Sequence, residues 1–214
     1  MENTFRDVNI ALANELAKMS EEVGVNCWDV IRMANQHPRV NFLDPGPGVG
    51  GHCIPLDPWF LVEKCENAKL IKQARLNNDS MPAYVLSKLE ALLGGLKGKR
   101  VALFGVTYKP NIDDIRESPI MHLKDLLLEA GAEVRICDPH AARKLDVTYD
   151  AYDACDGSDI AVLGVNHEQF RNIDFEKMAE KLSNKVVFDT RNFWDREAVE
   201  KAGIKYVLLG DYRR

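Results

Sequence analysis

Residues 94–106 read Gly-Gly-Leu-Lys-Gly-Lys-Arg-Val-Ala-Leu-Phe-Gly-Val, and they separate two kinds of sequence pattern. The glycine- and lysine-rich first half indicates a loop, and the apolar run at 101–106 is typical of a strand that is buried on both faces. Similar apolar runs follow at 133–137, 160–165, 185–189 and 206–209, with helical patterns at 118–130, 175–182 and 196–202. Strands that alternate with helices predict a parallel sheet. We therefore expect an α/β fold in which residues 96–214 form a Rossmann-like domain.

The chain before this boundary has a helical pattern. Apolar residues recur every three or four positions from Phe5 to Val23, which places them on one stripe of a helix that ends near Gly24. A second short helix is expected at 28–35, and the helical pattern returns from 58 to about 93 with a break near 77–82. The sequence thus predicts an all-helical domain over residues 1–95.

Composition excludes several classes of protein. The chain has 214 residues, 46% of them hydrophobic and 29% charged, as in ordinary globular domains. Its net charge is −5, whereas nucleic-acid-binding domains usually carry a basic excess, so no nucleic-acid partner is expected. We also expect no membrane partner, because the sequence shows neither a long apolar run nor a signal peptide. Five scattered cysteines without a C-x-x-C pair favour free thiols in a reducing, cytoplasmic compartment.

The segment 37–58 contains five prolines and four glycines, and loops this long in compact domains are usually functional. Its glycines resemble a dinucleotide-binding fingerprint. That fingerprint needs a strand before it and a helix directly after it, and this context does not supply them. We interpret the glycines instead as a wall whose backbone N–H groups are open to a ligand, stiffened by Pro55 and Pro58.

Cys53 differs from the other cysteines because it lies in this loop, beside His52 and four residues before Asp57. A neighbouring imidazole or exposed N–H groups lower the pKa of a thiol, so Cys53 is a candidate nucleophile. The other four cysteines are expected to be small buried side chains, with Cys65 on a helix. A metal site at His52, Cys53 and Asp57 is disfavoured because no second ligand pair has metal-binding spacing, so no metal is expected.

Two cations follow strands of the predicted sheet. Lys109 lies in the loop after the strand at 101–106, and Arg191 follows the strand at 185–189. Ligands of open α/β sheets bind at the carboxyl ends of the strands, so these cations indicate a phosphate or nucleotide site. This half contains no G-x-G-x-x-G, so we do not expect it to bind NAD in the usual manner.

The segment 113–119, Asp-Asp-Ile-Arg-Glu-Ser-Pro, opens the next helix. Ser118 is the predicted N-cap and Pro119 suits the first turn. From its neighbours alone, Arg116 is expected to form an ion pair with one of the acidic residues on either side of it.

Several segments match a known family in the right order and at the right spacing. They are Glu2–Ala11, Asn14–Glu15, His37–Asn41, Gly46–Pro58, Gly105–Pro110, Asp114–Pro119 and Asp189–Asn192. On these motifs the whole chain resembles the central and C-terminal domains of the UDP-glucose/GDP-mannose dehydrogenases. Gly-Gly-His-Cys-Ile-Pro at 50–55 is similar to the branch that acts on N-acetylhexosamines. The resemblance implies a UDP-binding second domain and a UDP-N-acetylhexosamine substrate, with UDP-N-acetylmannosamine first and the glucosamine and galactosamine isomers close behind.

Members of this family oxidise a primary alcohol of a sugar nucleotide to a carboxylate with two NAD+ in succession. The resemblance implies that Cys53 attacks the intermediate aldehyde to give a thiohemiacetal, and then a thioester that water hydrolyses. It assigns Asp57 to the positioning or activation of water and Asn3 to the developing oxyanion. Considered alone, Asn3 would be interpreted as a helix N-cap.

The resemblance also implies which residues hold the sugar nucleotide. They are Arg6, His37, Arg39, Asn41, Phe42, the backbone of Gly48, Tyr108, Lys109 and Arg191. Arg116 would reach toward NAD. In this family an arginine that matches Arg39 can reach the other subunit's site, which implies a homodimer through the central helices.

The family's members begin with an NAD-binding domain, and their catalytic lysine precedes the position of Asn3. We therefore expect this chain to be the C-terminal part of such an enzyme, with most of the NAD site elsewhere, and to be inactive alone. Two alternatives stay open. One is a non-catalytic module that binds UDP-sugars and dimerises, and the other is a thiol enzyme such as an acyl transferase, with His52 as the base.

Overall fold

The computed structural model describes residues 1–141, 145 and 147–213. Its N-terminal half is helical, with α1 (Glu2–Val23), α2 (Cys27–Ala34), α3 (Asp57–Lys64), α4 (Lys69–Asp79) and α5 (Met81–Leu93). α1 ends at Gly24, whose φ of 80° is the left-handed conformation that glycine adopts without steric cost. α2 begins after Asn26, whose side chain accepts the N–H of Trp28 at 2.9 Å. The predicted helices and the break between α4 and α5 are confirmed.

α1 turns its apolar stripe toward solvent. Phe5, Leu12, Met19 and Val23 are exposed, from 51% for Met19 to 71% for Phe5 and Val23. The inner face consists of small or polar residues: Thr4, Asp7, Ala11, Ala13, Asn14, Ala17 and Ser20. The apolar periodicity of this helix therefore marks a surface. No helix in the described part of the chain is long and apolar enough to cross a membrane.

The C-terminal half is built on a parallel sheet. Its strands are β1 (Arg100–Phe104), β2 (Glu133–Cys137), β3 (Ile160–Leu163), β4 (Val186–Asp189) and β5 (Lys205–Leu208), in the order β2-β1-β3-β4-β5. The helices between them are α6 (Pro119–Glu129), α7 (Ala151–Cys155), α8 (Phe175–Lys181) and α9 (Arg196–Lys201). The order changes direction between β1 and β3, so their carboxyl ends form the switch point of the sheet. The parallel α/β fold is confirmed, with strand ends shifted by one or two residues and α7 as an addition.

Apolar cores cover both faces of the sheet. Alternate residues of a strand enter different cores, so Val101 and Leu103 meet α5 and α6, whereas Ala102 and Phe104 meet α7, α8 and α9. Three residues of α5 are fully buried in the first core: Met81, Val85 and Leu89. α5 belongs by sequence to the helical half, but its side chains join that half to the sheet.

The end of the sheet is also joined to α2. The N–H of Cys27 donates to the carbonyl oxygen of Gly210 at 2.8 Å, and the indole Nε1 of Trp28 donates to the carbonyl oxygen of Leu209 at 2.8 Å. These contacts connect the helical half to the segment after β5. They hold the helical half against the sheet at a second place.

Candidate active site

A cavity of about 650 Å³ lies between the helical half and the carboxyl end of the sheet. One wall is formed by α1 together with residues 43–56, and these residues 43–56 are called here the Cys53 loop. The other, called here the strand-end wall, is formed by residues that follow β1 and β4. Most of the predicted site residues line this cavity: Asn3, Arg6, Gly48, Cys53, Tyr108, Lys109 and Arg191.

The thiol of Cys53 is exposed on this cavity. The carbonyl oxygen of Cys53 accepts the N–H of Asp57 at 2.9 Å, in the turn that enters α3. The Asp57 carboxylate accepts Nδ2 of Asn3 at 2.7 Å. Asn3 does not cap α1, because Met1 holds the N-cap position, so the N-cap interpretation is wrong. Instead the Asn3 side chain joins α1 to α3 beside the thiol.

The glycines of the Cys53 loop lie against the second half of the chain as well as against the cavity. A Cβ on Gly50 would lie 2.5 Å from the carbonyl oxygen of Glu117 and 2.8 Å from Cβ of Tyr108. A Cβ on Gly48 would lie 2.7 Å from Cβ of Pro119. The sequence predicts glycines that open the backbone to a ligand, and the structure adds a second reason for them. They let the two halves of the chain approach closely.

A buried chain of polar groups fixes the entrance of the Cys53 loop. Asn14 on α1 accepts the N–H of Gly46 at 2.8 Å and donates to the side-chain oxygen of Asn78 at 2.9 Å. Asn78 donates to the carboxylate of Asp7 at 2.8 Å, and that carboxylate also pairs with the buried guanidinium of Arg75. Nothing in the sequence motifs points to these hydrogen bonds. The sequence feature that could have revealed them is a pair of polar residues, Asp7 and Asn14, seven positions apart on the small-residue face of α1.

Arg191 extends from the end of β4 into the cavity. Its Nε donates to the carbonyl oxygen of Gly164 at 2.9 Å, and a Cβ on Gly46 would lie 2.5 Å from its Nη1. Burial lowers the pKa of this guanidinium to about 10, which leaves it charged at neutral pH. The buried carboxylate of Asp189 accepts the N–H of Arg191 at 2.7 Å and the hydroxyl of Tyr206 at 2.9 Å. Burial raises the pKa of Asp189, and these hydrogen bonds oppose that rise.

The second cation of the strand-end wall is Lys109, which follows β1. Its side chain is exposed, and its Nζ lies 5.7 Å from the ring centre of Tyr108. The structure therefore brings both strand-end cations, Lys109 and Arg191, to the cavity that holds the Cys53 thiol.

Four of the residues implied in substrate binding do not line this cavity. They are His37, Arg39, Asn41 and Phe42, which follow α2. Asn35 closes their loop, because its amide oxygen accepts the N–H of Phe42 at 2.7 Å and its Nδ2 donates to the carbonyl oxygen of Phe42 at 3.1 Å. Three of the four are exposed on the surface: His37, Arg39 and Asn41.

Arg116 also lies outside the cavity lining. It forms an exposed ion pair with Asp114, with Nη2 at 2.6 Å and Nε at 3.0 Å from the carboxylate. The expected ion pair is confirmed. Ser118 accepts the N–H of Ile120 at 3.3 Å and Pro119 begins α6, so the predicted cap is confirmed as well.

At the switch point of the sheet, the segments that follow β1 and β3 lie close together. A Cβ on Gly164 after β3 would lie 2.9 Å from the carbonyl oxygen of Gly105 after β1. Asp138 and His167, which belong to none of the sequence motifs above, are fully buried beside these strand ends. In the sequence, each of them is recognisable only as a polar residue after a strand: Asp138 follows β2, and His167 lies four residues after β3. No G-x-G-x-x-G follows a strand in this half of the chain, so it lacks the glycine-rich turn that holds the pyrophosphate of a dinucleotide in a Rossmann domain.

The remaining thiols differ from Cys53 in their surroundings. Cys27, Cys137 and Cys155 are buried, and burial raises the pKa of each to about 12. Cys65 follows α3 and is exposed, so the expectation that it is buried on a helix is wrong. Over the described residues, no group of three or more His, Cys, Asp or Glu side chains is placed to hold a metal ion.

Two family models match the chain. The central domain of the UDP-glucose/GDP-mannose dehydrogenase family matches residues 1–80, and the UDP binding domain of the same family matches residues 102–196. These matches correspond to the helical half through α4 and to the sheet through β4.

Individual relatives agree with the family models. The chain is 51% identical over 214 residues to the UDP-N-acetyl-D-mannosamine dehydrogenase of Methanocaldococcus jannaschii, with 99% of this chain and 50% of the relative covered. It is 44% identical over 205 residues to the NDP-N-acetyl-D-galactosaminuronic acid dehydrogenase of Ralstonia nicotianae, with 92% and 48% covered. The chain thus spans about half the length of the curated relatives it matches.

A solved structure gives the same result for the fold. The UDP-N-acetyl-mannosamine dehydrogenase of Staphylococcus aureus is 43% identical and has a TM-score of 0.86, with 99% of this chain and 50% of that chain covered. Sequence and fold agree over both the helical half and the sheet. The chain belongs to the UDP-glucose/GDP-mannose dehydrogenase family.

Proposed function

We propose that this chain supplies the substrate-binding and thiol half of an NAD-dependent nucleotide-sugar 6-dehydrogenase, with UDP-N-acetylmannosamine as the first candidate substrate. The observation that carries the proposal is one cavity that holds the exposed Cys53 thiol together with Lys109 and Arg191. The names of the relatives support the choice of an N-acetylhexosamine.

The charges of the cavity suit a sugar nucleotide. Arg191 presents a guanidinium that is hydrogen-bonded to Gly164 and suits the diphosphate, and the exposed Lys109 is a second cation. A volume of about 650 Å³ lies within the usual range of small-molecule sites. With the diphosphate at the strand-end wall, the sugar would extend toward Cys53 on the opposite wall.

Cys53, Asn3 and Asp57 then divide the chemistry at the sugar carbon. The Cys53 sulfur adds to an aldehyde carbon, a carbon–sulfur bond forms, and the carbonyl electron pair moves to oxygen. Asn3 has a second amide N–H with which to stabilise that oxygen. When a thioester is hydrolysed, water attacks its carbon, Asp57 accepts a proton, and the Cys53 thiolate leaves. We assign hydride transfer to none of these three residues.

A homodimer through α1 is part of the proposal. The apolar stripe of Phe5, Leu12, Met19 and Val23 is exposed, and it runs along α1 from its first turn to its last. It therefore offers a surface for α1 of a second copy. The exposed loop with Arg39 would then be available to the other copy's cavity. Sedimentation should show a dimer that Leu12→Asp with Met19→Asp converts to monomer. A native chain that sediments as a monomer at all concentrations would refute this part.

The main test measures binding and thiol protection together. We expect UDP-N-acetylmannosamine and UDP, but not NAD+, to bind the chain in calorimetry. We also expect the sugar nucleotide to slow alkylation of Cys53, while the exposed Cys65 serves as the internal control. Arg191→Gln should weaken UDP binding by about tenfold, because a charge-assisted pair is lost, whereas the exposed Arg171→Gln should not change it.

Other outcomes lead to the alternatives. Binding of UDP-sugars without protection of Cys53 would favour the non-catalytic module. Rapid alkylation of Cys53 that requires His52 and is not slowed by UDP-sugars would favour a thiol enzyme of another class.

A further inference from the structure

The turn 107–111 carries three residues that line the cavity: Tyr108, Lys109 and Pro110. It lies outside β1, so its position depends on contacts with other segments. Asn111 closes it with a φ of 61°, in the left-handed region. The position of this turn decides where the strand-end wall presents Lys109.

His167 contacts both ends of this turn from the segment after β3. Its Nδ1 lies 2.9 Å from the backbone nitrogen of Asn111, and its Nε2 lies 3.2 Å from Oγ1 of Thr107. Nε2 is also 3.2 Å from Oδ2 of Asp138. His167 is fully buried, so water does not compete for these contacts.

The neighbours leave His167 a single arrangement of protons. The backbone N–H of Asn111 can only donate, so Nδ1 must accept. The hydroxyl of Thr107 donates to the carbonyl oxygen of Lys109 at 2.9 Å, so its oxygen is free to accept from Nε2–H. Asp138 accepts as a carboxylate. Burial by itself raises its pKa, but hydrogen bonds from His167 and backbone N–H groups outweigh burial and lower it to about 2.

We propose that His167 is a positioning residue for sugar-nucleotide binding. Its Nε2–H donates to Asp138 and Thr107, and its Nδ1 accepts the backbone N–H of Asn111, which fixes the position of the turn that carries Lys109. The proposal rests on the proposed function, because it assigns a role within the same site. It differs from a simple packing role. A core side chain needs only shape, whereas this one must also present an acceptor, Nδ1, to the backbone N–H of Asn111.

The two amide residues separate these contacts. In His167→Asn the amide oxygen can occupy the place of Nδ1 and still accept the Asn111 N–H. In His167→Gln the longer amide reaches the place of Nε2 and leaves the Asn111 N–H without its acceptor. Both variants lose part of the ring's packing and some of its hydrogen bonds, so both should lower the melting temperature.

The experiment measures UDP affinity of the full chain by calorimetry and exchange of the Asn111 amide by NMR. We expect His167→Asn to bind UDP within about threefold of the native chain, and His167→Gln to bind about tenfold more weakly, because an acceptor has been removed from a backbone donor. Exchange at Asn111 should accelerate in the Gln variant alone. The histidine ring signals that disappear from the NMR spectra of both variants belong to His167. In the native chain, their ¹⁵N chemical shifts should show a protonated Nε2 and an unprotonated Nδ1.

Each part can fail separately. A native chain that does not bind UDP refutes the proposed function. In that case the exchange of Asn111 still decides whether His167 holds the turn. Equal UDP affinity and equal Asn111 exchange in the Asn and Gln variants would overturn the inference, as would a native tautomer protonated at Nδ1.

Discussion

The two walls of the cavity are held in place by different means. On the strand-end wall, Arg191 lies two residues after the end of β4, and the carboxylate of Asp189 accepts hydrogen bonds from the backbone of Arg191, Phe193 and Trp194. The Cys53 loop has no strand or helix of its own. Its entrance is held by Asn14, 32 positions from Gly46, and its glycines lie against Tyr108 and Pro119 in the other half.

This difference determines where each wall is vulnerable. The strand-end wall is supported by hydrogen bonds: the carbonyl oxygen of Gly164 accepts one from Arg191, and His167 accepts one from the backbone N–H of Asn111. The Cys53 loop depends on a buried ion pair, Asp7 with Arg75, at the far end of a polar chain. Breaking such a pair leaves a charge in the interior, which costs more than the loss of a neutral hydrogen bond.

The largest effect should therefore come from the support of the Cys53 loop. Asp7→Ala leaves the guanidinium of Arg75, only 1% exposed, with Asp79 as its remaining ion-pair partner among the described residues. We expect a loss of about 3–5 kcal/mol in the free energy of unfolding, because the half-exposed Asp79 compensates the buried charge of Arg75 only in part. Urea denaturation followed by circular dichroism measures this loss.

A double variant serves as the control. In the described structure Oδ2 of Asp7 and Nε of Arg75 have no hydrogen-bond partner, so the pair is incompletely satisfied. Asp7→Leu combined with Arg75→Met should therefore recover most of the stability. If the single variant unfolds with native stability, the ion pair does not support the loop.

The same difference explains what the sequence could reveal. Lys109 and Arg191 were predictable because the ends of parallel strands meet at one edge of a sheet, wherever the intervening chain goes. The contacts of Asn14 and Gly50 were not predictable, because they join segments whose relative position depends on the finished fold. The apolar stripe of α1 shows a related limit, since periodicity identifies a helix but does not say whether its apolar face meets core or solvent.

The second effect concerns the strand-end wall and depends on pH. The pKa of Asp138 is about 2 in the fold, below its ordinary value of 3.8. A depressed carboxylate pKa stabilises the fold above pH 3.8, and this stabilisation is lost as the pH falls through the folded value. Asp138 should contribute about 2 kcal/mol near neutral pH and about half of that at pH 3.

Asp138→Asn tests this contribution. The difference in unfolding free energy between native chain and variant should shrink between pH 6 and pH 3, as measured by urea titrations at each pH. Asp125→Asn, at an exposed position on α6, is the matched control. A difference that stays constant over this range would mean that Asp138 is not held as a carboxylate by its hydrogen bonds.

The smallest effect on stability, and the sharpest on geometry, should come where the two walls touch. Gly50 does not have a positive φ, but its Cβ in Gly50→Ala would lie 2.5 Å from the carbonyl oxygen of Glu117. We expect a loss of about 1–2 kcal/mol from overpacking. Gly94→Ala is the converse case, because Gly94 has a φ of 67° and open space around it, and left-handed backbone costs an alanine ~1 kcal/mol.

The two alanine variants should thus lose similar stability for different reasons. Gly50→Ala should also displace the Cys53 loop, whereas Gly94→Ala should not. To admit the new methyl group, the Cys53 loop must shift away from Glu117 and Tyr108, which displaces Cys53 relative to Lys109. UDP affinity and the rate of Cys53 alkylation should therefore change in Gly50→Ala and stay native in Gly94→Ala. If both variants keep native affinity and thiol reactivity, the contact at Gly50 does not set the spacing between the walls.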